Sequence, residues 1–226
     1  MIAIALIVPT YLMVKLPEWD VKTKDQLEFK GNQLIPTAKL KGILKLKLPQ
    51  SIFFIDSKQI AEDLERSGLV TQVQAQRTLF PTRVSITLVE RKPVAKVMIG
   101  NKLELIDADG KLMSPQFYPK PARDLKLLVK VSNRDYIQQN WRYIYREIST
   151  SGLDISSIDW RDPINLILVN PQLNAHCGYF VPTKFVRQIQ KVRQFQTPQS
   201  VAKLNQYQTG GVRRINLSNP DNPFLF

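Results

Sequence analysis

The sequence predicts an α+β protein: a small unit running strand, helix, helix, strand, strand, followed by a β-rich unit with flanking helices. Three observations predict it. Between Val84 and Leu88, apolar Val84, Ile86 and Leu88 alternate with Ser85 and Thr87, the period of a strand with one buried face. Two stretches with helical apolar spacing and clear start or stop residues precede that strand. Beyond Pro93 the pattern changes to short apolar runs separated by Gly, Asn, Asp and Pro, which is the punctuation of a β-rich domain. A chain of 226 residues that is 43% hydrophobic can hold a real core, and its length suits one large or two small domains.

Residues 1–14 are uncharged and mostly apolar, interrupted by Pro9 and Thr10. As a helix they would extend about 21 Å against roughly 30 Å for a bilayer core, too short to span alone. No cationic stretch precedes them and no small-residue cleavage site follows, so they do not read as a cleaved leader. They read as the outer half of a membrane anchor, or as a short buried or interfacial segment. Lys15-Leu16-Pro17-Glu18-Trp19 then supplies a charge, a helix-breaking proline and a headgroup-seeking tryptophan.

Residues 27–30 form the first strand, and Gly31-Asn32 turns the chain. Pro36 suits the first position of a helix running to Leu44, with Leu40, Ile43 and Leu44 on its apolar side. Asp56 or Ser57 caps a second helix that buries Ile60, Ala61 and Leu64 and closes on Gly68. Val70, Val73 and Ala75 lead into a strand that pairs with the Val84 strand around Phe80-Pro81-Thr82. Pro81 and Pro93 stop that ladder at its two ends.

In the second half, residues 95–99 and 103–106 form a hairpin about Gly100-Asn101. Asp107-Ala108-Asp109-Gly110 makes a further turn. Its acidic pair is too short a ligand set for a calcium loop and lacks the closing glutamate. Pro115, Pro119 and Pro121 mark a loop, and residues 125–131 a strand. Ser132 or Asn133 caps the longest helix, which ends near Gly152 and carries Ile137, Trp141, Ile144 and Ile148 on one stripe. Residues 155–160 and 164–169 flank an Arg161-Asp162-Pro163 turn, and residues 175–181 form the next strand. Thr183 caps a helix with Phe185, Ile189 and Val192 inward and Lys184, Arg187 and Lys191 outward. After a Gly210-Gly211 break, residues 212–217 form a final clear strand, and a proline-containing turn leads to Phe224-Leu225-Phe226.

No catalytic set emerges. The one histidine, His176, neighbours the one cysteine, Cys177, but adjacent strand residues point to opposite faces and cannot serve as base and nucleophile together. A single cysteine also excludes an intramolecular disulfide and a cysteine-rich metal site. The glycines never form a phosphate-cradling motif ahead of a helix. A net charge of +13 and a pI near 9.9 bias the surface towards anionic partners, whether nucleic acid, anionic lipid, acidic wall polymers or an acidic protein face. No helix-turn-helix, zinc-finger or RNP motif accompanies that charge. No acidic residue occurs between Asp162 and Asp221, which makes the helix bearing Lys184, Arg187 and Lys191 either a solvated face or a landing surface for an acidic segment or anionic lipid.

The Phe29-Lys30-Gly31-Asn32 opening, with Arg77, Pro81 and the Glu90-Arg91-Lys92-Pro93-Val94-Ala95 ending, resembles the POTRA domain of the FtsQ/DivIB bacterial division proteins. The Asp107–Gly110 turn and the closing strands are similar to that family's second, β-rich domain, although an aspartate often stands there where this chain has Asn216. The resemblance implies a partial membrane anchor and exit at residues 1–19, a POTRA domain at 20–95 and an FtsQ-type β domain at 96–226. It also implies a non-catalytic septal scaffold with no cofactor or small-molecule substrate. Such a protein is a single-pass component of the plasma membrane with extracytoplasmic domains, and it recruits FtsB/FtsL-type partners.

The partner is expected to add a strand at the C-terminal sheet edge. The expected contact residues are Arg213, Arg214, Ile215, Leu217, Phe224 and Phe226, with Lys184, Arg187 and Lys191 on the rim. Two other functions compete. POTRA domains also precede outer-membrane assembly barrels, which require a long C-terminal run of strands of about ten residues that is not present here. A basic nucleic-acid binder would show steep weakening with salt.

Overall fold

The structure, a computed structural model, describes residues 16–197 and 213–226. The apolar run 1–14, Val212 and the Gly210-Gly211 break lie outside the described residues. Among the described residues, no helix is long and apolar enough to cross a membrane. Two compact units are present. Among the described residues, one runs to Arg91 and includes Phe117–Pro119, and the other comprises Lys92–Gln116 with those from Lys120 onward.

In the first unit a 3-10 turn at Pro17–Trp19 leads into β1 (Asp20–Val21), β2 (Leu27–Lys30), α1 (Thr37–Ile43), β3 (Gln50–Ser51), α2 (Ser57–Arg66), β4 (Val70–Thr78) and β5 (Arg83–Glu90). The main sheet runs β2-β5-β4, with β2 parallel and β4 antiparallel to the central β5. The expected alternation holds: Val84, Ile86 and Leu88 are buried, as are Leu27 of β2, Leu40 of α1, and Ile60 and Leu64 of α2. Ala61 is only partly buried. The Asp56 carboxylate accepts from the Lys58 and Gln59 amides, which satisfies two donors at the start of α2. Pro36 stands one position earlier than expected, at the cap of α1. The short ladder between β1 and β3 was not legible, because two-residue strands carry no period.

The turn after β2 has two strict requirements. Gly31 takes a φ of 91°, and a Cβ there would sit 2.1 Å from the Leu88 carbonyl oxygen, so any side chain would meet the backbone of β5. The following amides of Gln33, Leu34 and Ile35 donate at 2.9, 2.7 and 2.8 Å to the carboxylate of Glu90, at the far end of β5. Glu90 is buried, so this carboxylate is the partner that lets the segment leave water without orphaned donors.

The second unit contains β6 (Pro93–Ile99), β7 (Lys102–Asp107), β8 (Leu112–Met113), α3 (Lys120–Arg123), β9 (Leu128–Val131), α4 (Arg134–Ser151), β10 (Ser157–Trp160), β11 (Leu166–Val169), β12 (Leu173–Gly178), α5 (Pro182–Phe195), β13 (Arg213–Asn216) and β14 (Phe224–Leu225). They build a nine-stranded sheet in the order β14-β13-β12-β11-β10-β9-β6-β7-β8. Pro93, expected only to stop a ladder, also opens β6, a position where a missing N–H is tolerated. β9 and β10 are parallel with α4 between them, and β12 and β13 are parallel with α5 between them.

The core lies on the helix-bearing face. Ile137, Trp141, Ile144 and Ile148 of α4, and Phe185, Ile189 and Val192 of α5, pack with Val97, Val129, Ile158, Ala175 and Ile215. Asn133 caps α4 through the Asp135 and Tyr136 amides, and Gly152 ends it at a φ of 71°. Thr183 does not cap α5: Val181 occupies the cap without a side-chain bond, and Pro182 opens the helix, where its missing N–H is no loss. The proline-marked loop contains a 3-10 turn at Pro115–Phe117 and the short α3. The strand expected at 125–131 is trimmed to β9, and the one expected at 175–181 is shifted towards the N-terminus as β12, which begins at Leu173 and ends at Gly178.

The Asp107 turn is a packing device. One oxygen of the buried Asp107 carboxylate accepts from the amides of Asp109 and Lys111, while the Asp107 carbonyl accepts from the Trp141 indole at 2.7 Å.

Replacing Glu90 with Ala should destabilise the first unit by about 3 kcal/mol or more, because several partly or fully buried donors lose one acceptor together. Hydrogen exchange on the full chain checks this: the amides of residues 33–35 should lose protection, while those of β10 and β11 keep theirs.

Candidate functional site

The C-terminal edge of the large sheet begins with the crossing from β12 to β13. Parallel register sets Asn174 beside Arg214, Ala175 beside Ile215 and His176 beside Asn216. The ends of the two strands are held from above by a residue of α5. Gln188 is fully buried, and its amide nitrogen donates to the Cys177 carbonyl at 2.6 Å and to the Leu217 carbonyl at 2.7 Å. A polar side chain among the apolar positions Phe185, Ile189 and Val192 was the signal that could have found it.

From β13 the chain turns through residues 218–223 and returns as β14, antiparallel, with Ile215 opposite Leu225 and Asn216 opposite Phe224. The turn is tied down locally by Asn216, which accepts from the Ser218 amide, and by Asn219, which accepts from that of Asp221. It is also tied to α5. Arg187 donates to both carboxylate oxygens of Asp221 at 3.1 and 2.9 Å, and the Lys184 ammonium donates to the Ser218 carbonyl at 3.2 Å.

These contacts redistribute the nine residues expected to meet a partner. Ile215 and Leu217 are fully buried in the core, so their side chains cannot reach a second molecule. β13 is flanked by β12 and β14, so it offers no free edge, and the strand expected at 212–217 is not the one a partner could extend. Lys184 and Arg187 are engaged with the turn. Lys191 makes no ion pair among the described residues, and Arg213 shares the helix-side face with Ile215 by the two-residue period.

Arg214, Phe224 and Phe226 lie on the other face. Phe224 and Phe226 are half-exposed, 6.2 Å apart by ring centroids, and Phe226 meets the edge of His176 at 5.0 Å. The expected basic rim and the aromatic pair therefore stand on opposite faces of one sheet. The reason is alternation: Leu225 packs against the core, so its two neighbours must point away from it. The Phe226 amide donates to the Arg214 carbonyl at 3.2 Å, which leaves the Leu225 N–H and C=O facing outward along the free edge.

Two features bear on chemistry at this edge. Cys177 faces the core, and burial pushes its thiol up to about 12, far from a reactive thiolate. His176 lies on the opposite face beside Asn165 at 3.3 Å, and burial, aided by the nearby Arg214 charge, lowers its pKa. The pair is thus divided by the sheet, as adjacent strand residues must be.

Two outcomes are expected. Replacing Gln188 with Leu, which keeps the volume but removes both bridging bonds, should cost about 2–4 kcal/mol, read by denaturant unfolding through Trp141 and Trp160. The pH dependence follows from His176. Its folded pKa lies below the unfolded value near 6.5, so the unfolded chain gains the proton first as pH falls. Stability of this unit should therefore decline as pH drops through about 6.5, and His176→Gln should flatten that part of the profile.

Comparison with known proteins bears on both units. Residues 24–91 match the POTRA domain, FtsQ-type. The cell division protein FtsQ of Koribacter versatilis is 24% identical over 153 residues, covering 63% of this chain and 44% of that protein. FtsQ of Rickettsia typhi is 30% identical over 112 residues, covering 48% of this chain and 42% of the relative. FtsQ of Rickettsia bellii is 32% identical over 91 residues, covering 40% and 34%. The chain thus spans less than half the length of these curated relatives. Residues 24–91 thus form an FtsQ-type POTRA domain, built here as β2-α1-α2-β4-β5, in a chain that is similar over part of its length to cell division proteins named FtsQ.

Proposed function

We propose that this protein acts in bacterial cell division as a non-catalytic scaffold of the septum. The FtsQ-type POTRA domain at residues 24–91 carries this reading, together with relatives that are named as cell division proteins. In it the chain is attached to the plasma membrane by a single span that includes residues 1–14. Its folded units lie outside the cytoplasm, and it recruits FtsB/FtsL-type partners and links them to septal wall synthesis.

The partner contact proposed is the β14 edge. A partner strand would pair with the outward Leu225 backbone and cover the Phe224 and Phe226 rings, with backbone bonds supplying register and the rings supplying apolar burial. Because β14 spans only Phe224–Leu225, pairing alone is a short template and the rings must contribute much of the affinity. The helix cations act differently. Arg187 and Lys184 hold the turn from which β14 returns, so they orient the edge and do not receive an acidic partner directly.

The test is binding of an FtsB/FtsL-type pair to the full chain. Phe224→Ala should weaken association by about 1.5–3 kcal/mol if the ring becomes fully buried, whereas Lys191→Ala should change mainly the association rate. A pull-down in which removal of residues 220–226 leaves partner binding intact would defeat the edge assignment. Failure of the full chain to concentrate at the division site would defeat the scaffold itself.

A further inference from the structure

The first unit exposes a second aromatic surface, unrelated to the β14 edge. Trp19, in the entering 3-10 turn, meets the Phe53 ring at 5.9 Å and the Phe80 ring at 5.0 Å, both edge-on. Phe53 and Phe54 belong to the turn after β3, and Leu79 and Phe80 to the β4–β5 turn. Three distant stretches of sequence thus bring their apolar side chains to one place. Backbone bonds hold them there. The Ile52 amide donates to the Trp19 carbonyl at 2.7 Å, and the Thr82 hydroxyl donates to the carbonyls of Glu18 at 2.8 Å and Leu79 at 3.0 Å.

The outermost rings do not serve the core. Phe80 is 78% exposed and Phe54, next to Phe53 in the chain, 60% exposed, and Phe53 and Leu79 are partly open as well. The indole N–H of Trp19 is turned inward, so Trp19 is the base against which Phe53 and Phe80 rest. The Trp19, Phe53 and Phe80 rings form one exposed aromatic cluster, and exposed apolar clusters mark interaction sites.

We propose that this patch docks on the lipid bilayer surface, with the Phe54 and Phe80 rings seated at the headgroup boundary. Chain continuity selects lipid over a protein partner. Leu16, three residues before Trp19, is separated only by Lys15 from a run of fourteen uncharged residues, 1–14. Any membrane attachment through that run would hold the patch within a few residues' reach of the interface. Tryptophan favours this layer, and phenylalanine is among the apolar side chains that surface-bound segments bury at its boundary. The rings are carried by the entering turn and by two loop tips, not by a strand. The nearby charges offset each other: Glu18 is acidic, and the guanidinium of Arg77 donates to the Phe53 carbonyl at 3.0 Å. Binding should therefore be carried by the rings and change little with salt.

The proposal rests on the membrane attachment proposed above, and one experiment separates the two. Trp19 is the only partly exposed tryptophan of the three, since Trp141 and Trp160 are fully buried. The full chain is reconstituted with phosphatidylcholine vesicles, with or without a nitroxide on the headgroup. Flotation reports attachment, and quenching of Trp19 emission reports docking. The expected result is flotation with salt-insensitive quenching. The Phe54→Asp, Phe80→Asp double variant should still float but lose most of that quenching. Phe80→Ser alone should lose part of it, which keeps the test decisive if the double variant is poorly folded. Flotation without Trp19 quenching, or quenching unchanged in these variants, overturns the docking surface and leaves attachment standing. Absence of flotation overturns both.

Discussion

A carboxylate at the end of a strand, turned back onto a run of backbone amides, is the interaction on which each unit of this protein depends. In the first unit Glu90 closes β5 and accepts from Gln33, Leu34 and Ile35. In the second, Asp107 closes β7 and accepts from Asp109 and Lys111. Both acids are buried. A carboxylate removed from water is costly unless its lone pairs are filled, and an amide run removed from water is costly unless it finds acceptors. Each cost is offset by the other. The bonds also fix geometry: Glu90 brings the end of β5 against the lead into α1, and the Asp107 carbonyl places Trp141 at the centre of the second core.

Gln188 does comparable work at the opposite end of the large sheet. The Cys177 and Leu217 carbonyls at the ends of β12 and β13 are both met by one amide nitrogen from α5. This bridge stabilises the β12–β13 pairing on which β14 is laid. The Arg187–Asp221 pair then steadies the returning turn. Both groups are mostly solvent-exposed, so its contribution to stability is small and its role is directional. The aromatic pair Phe224 and Phe226 is presented on the open face as a consequence of the Leu225 side chain being taken into the core.

The two exposed aromatic surfaces differ in construction, and the difference matches the partners proposed for them. The β14 surface couples rings to an unpaired strand edge, which suits a polypeptide that can supply backbone groups. The Trp19 surface gathers rings from an entering turn and two loop tips, which suits a fluid layer that requires only apolar contact. Of the cations on α5, Lys184 and Arg187 are occupied by the turn.

Much of the architecture was legible because its signals are local. Alternation in 84–88, the Asp56 and Asn133 caps, the Gly68 and Gly152 stops and the apolar stripe of α4 each depend on residues a few positions apart, and all are found in place. The family resemblance drew on the same stretches. What sequence could not reveal depends on contacts between distant residues: Glu90 with residues 33–35, Trp141 with Asp107, Arg187 with Asp221, and Trp19 with Phe53 and Phe80. The proposed binding edge shows the division most plainly. Residues 213–217 and 224–226 could be read as strand and apolar end, but a strand carries no mark of which neighbour takes its hydrogen bonds. Only the tertiary pairing placed β13 between two strands, consumed Ile215 and Leu217 in the core, and left Phe224 and Phe226 outside, because sheet order is decided by which apolar faces can be buried together.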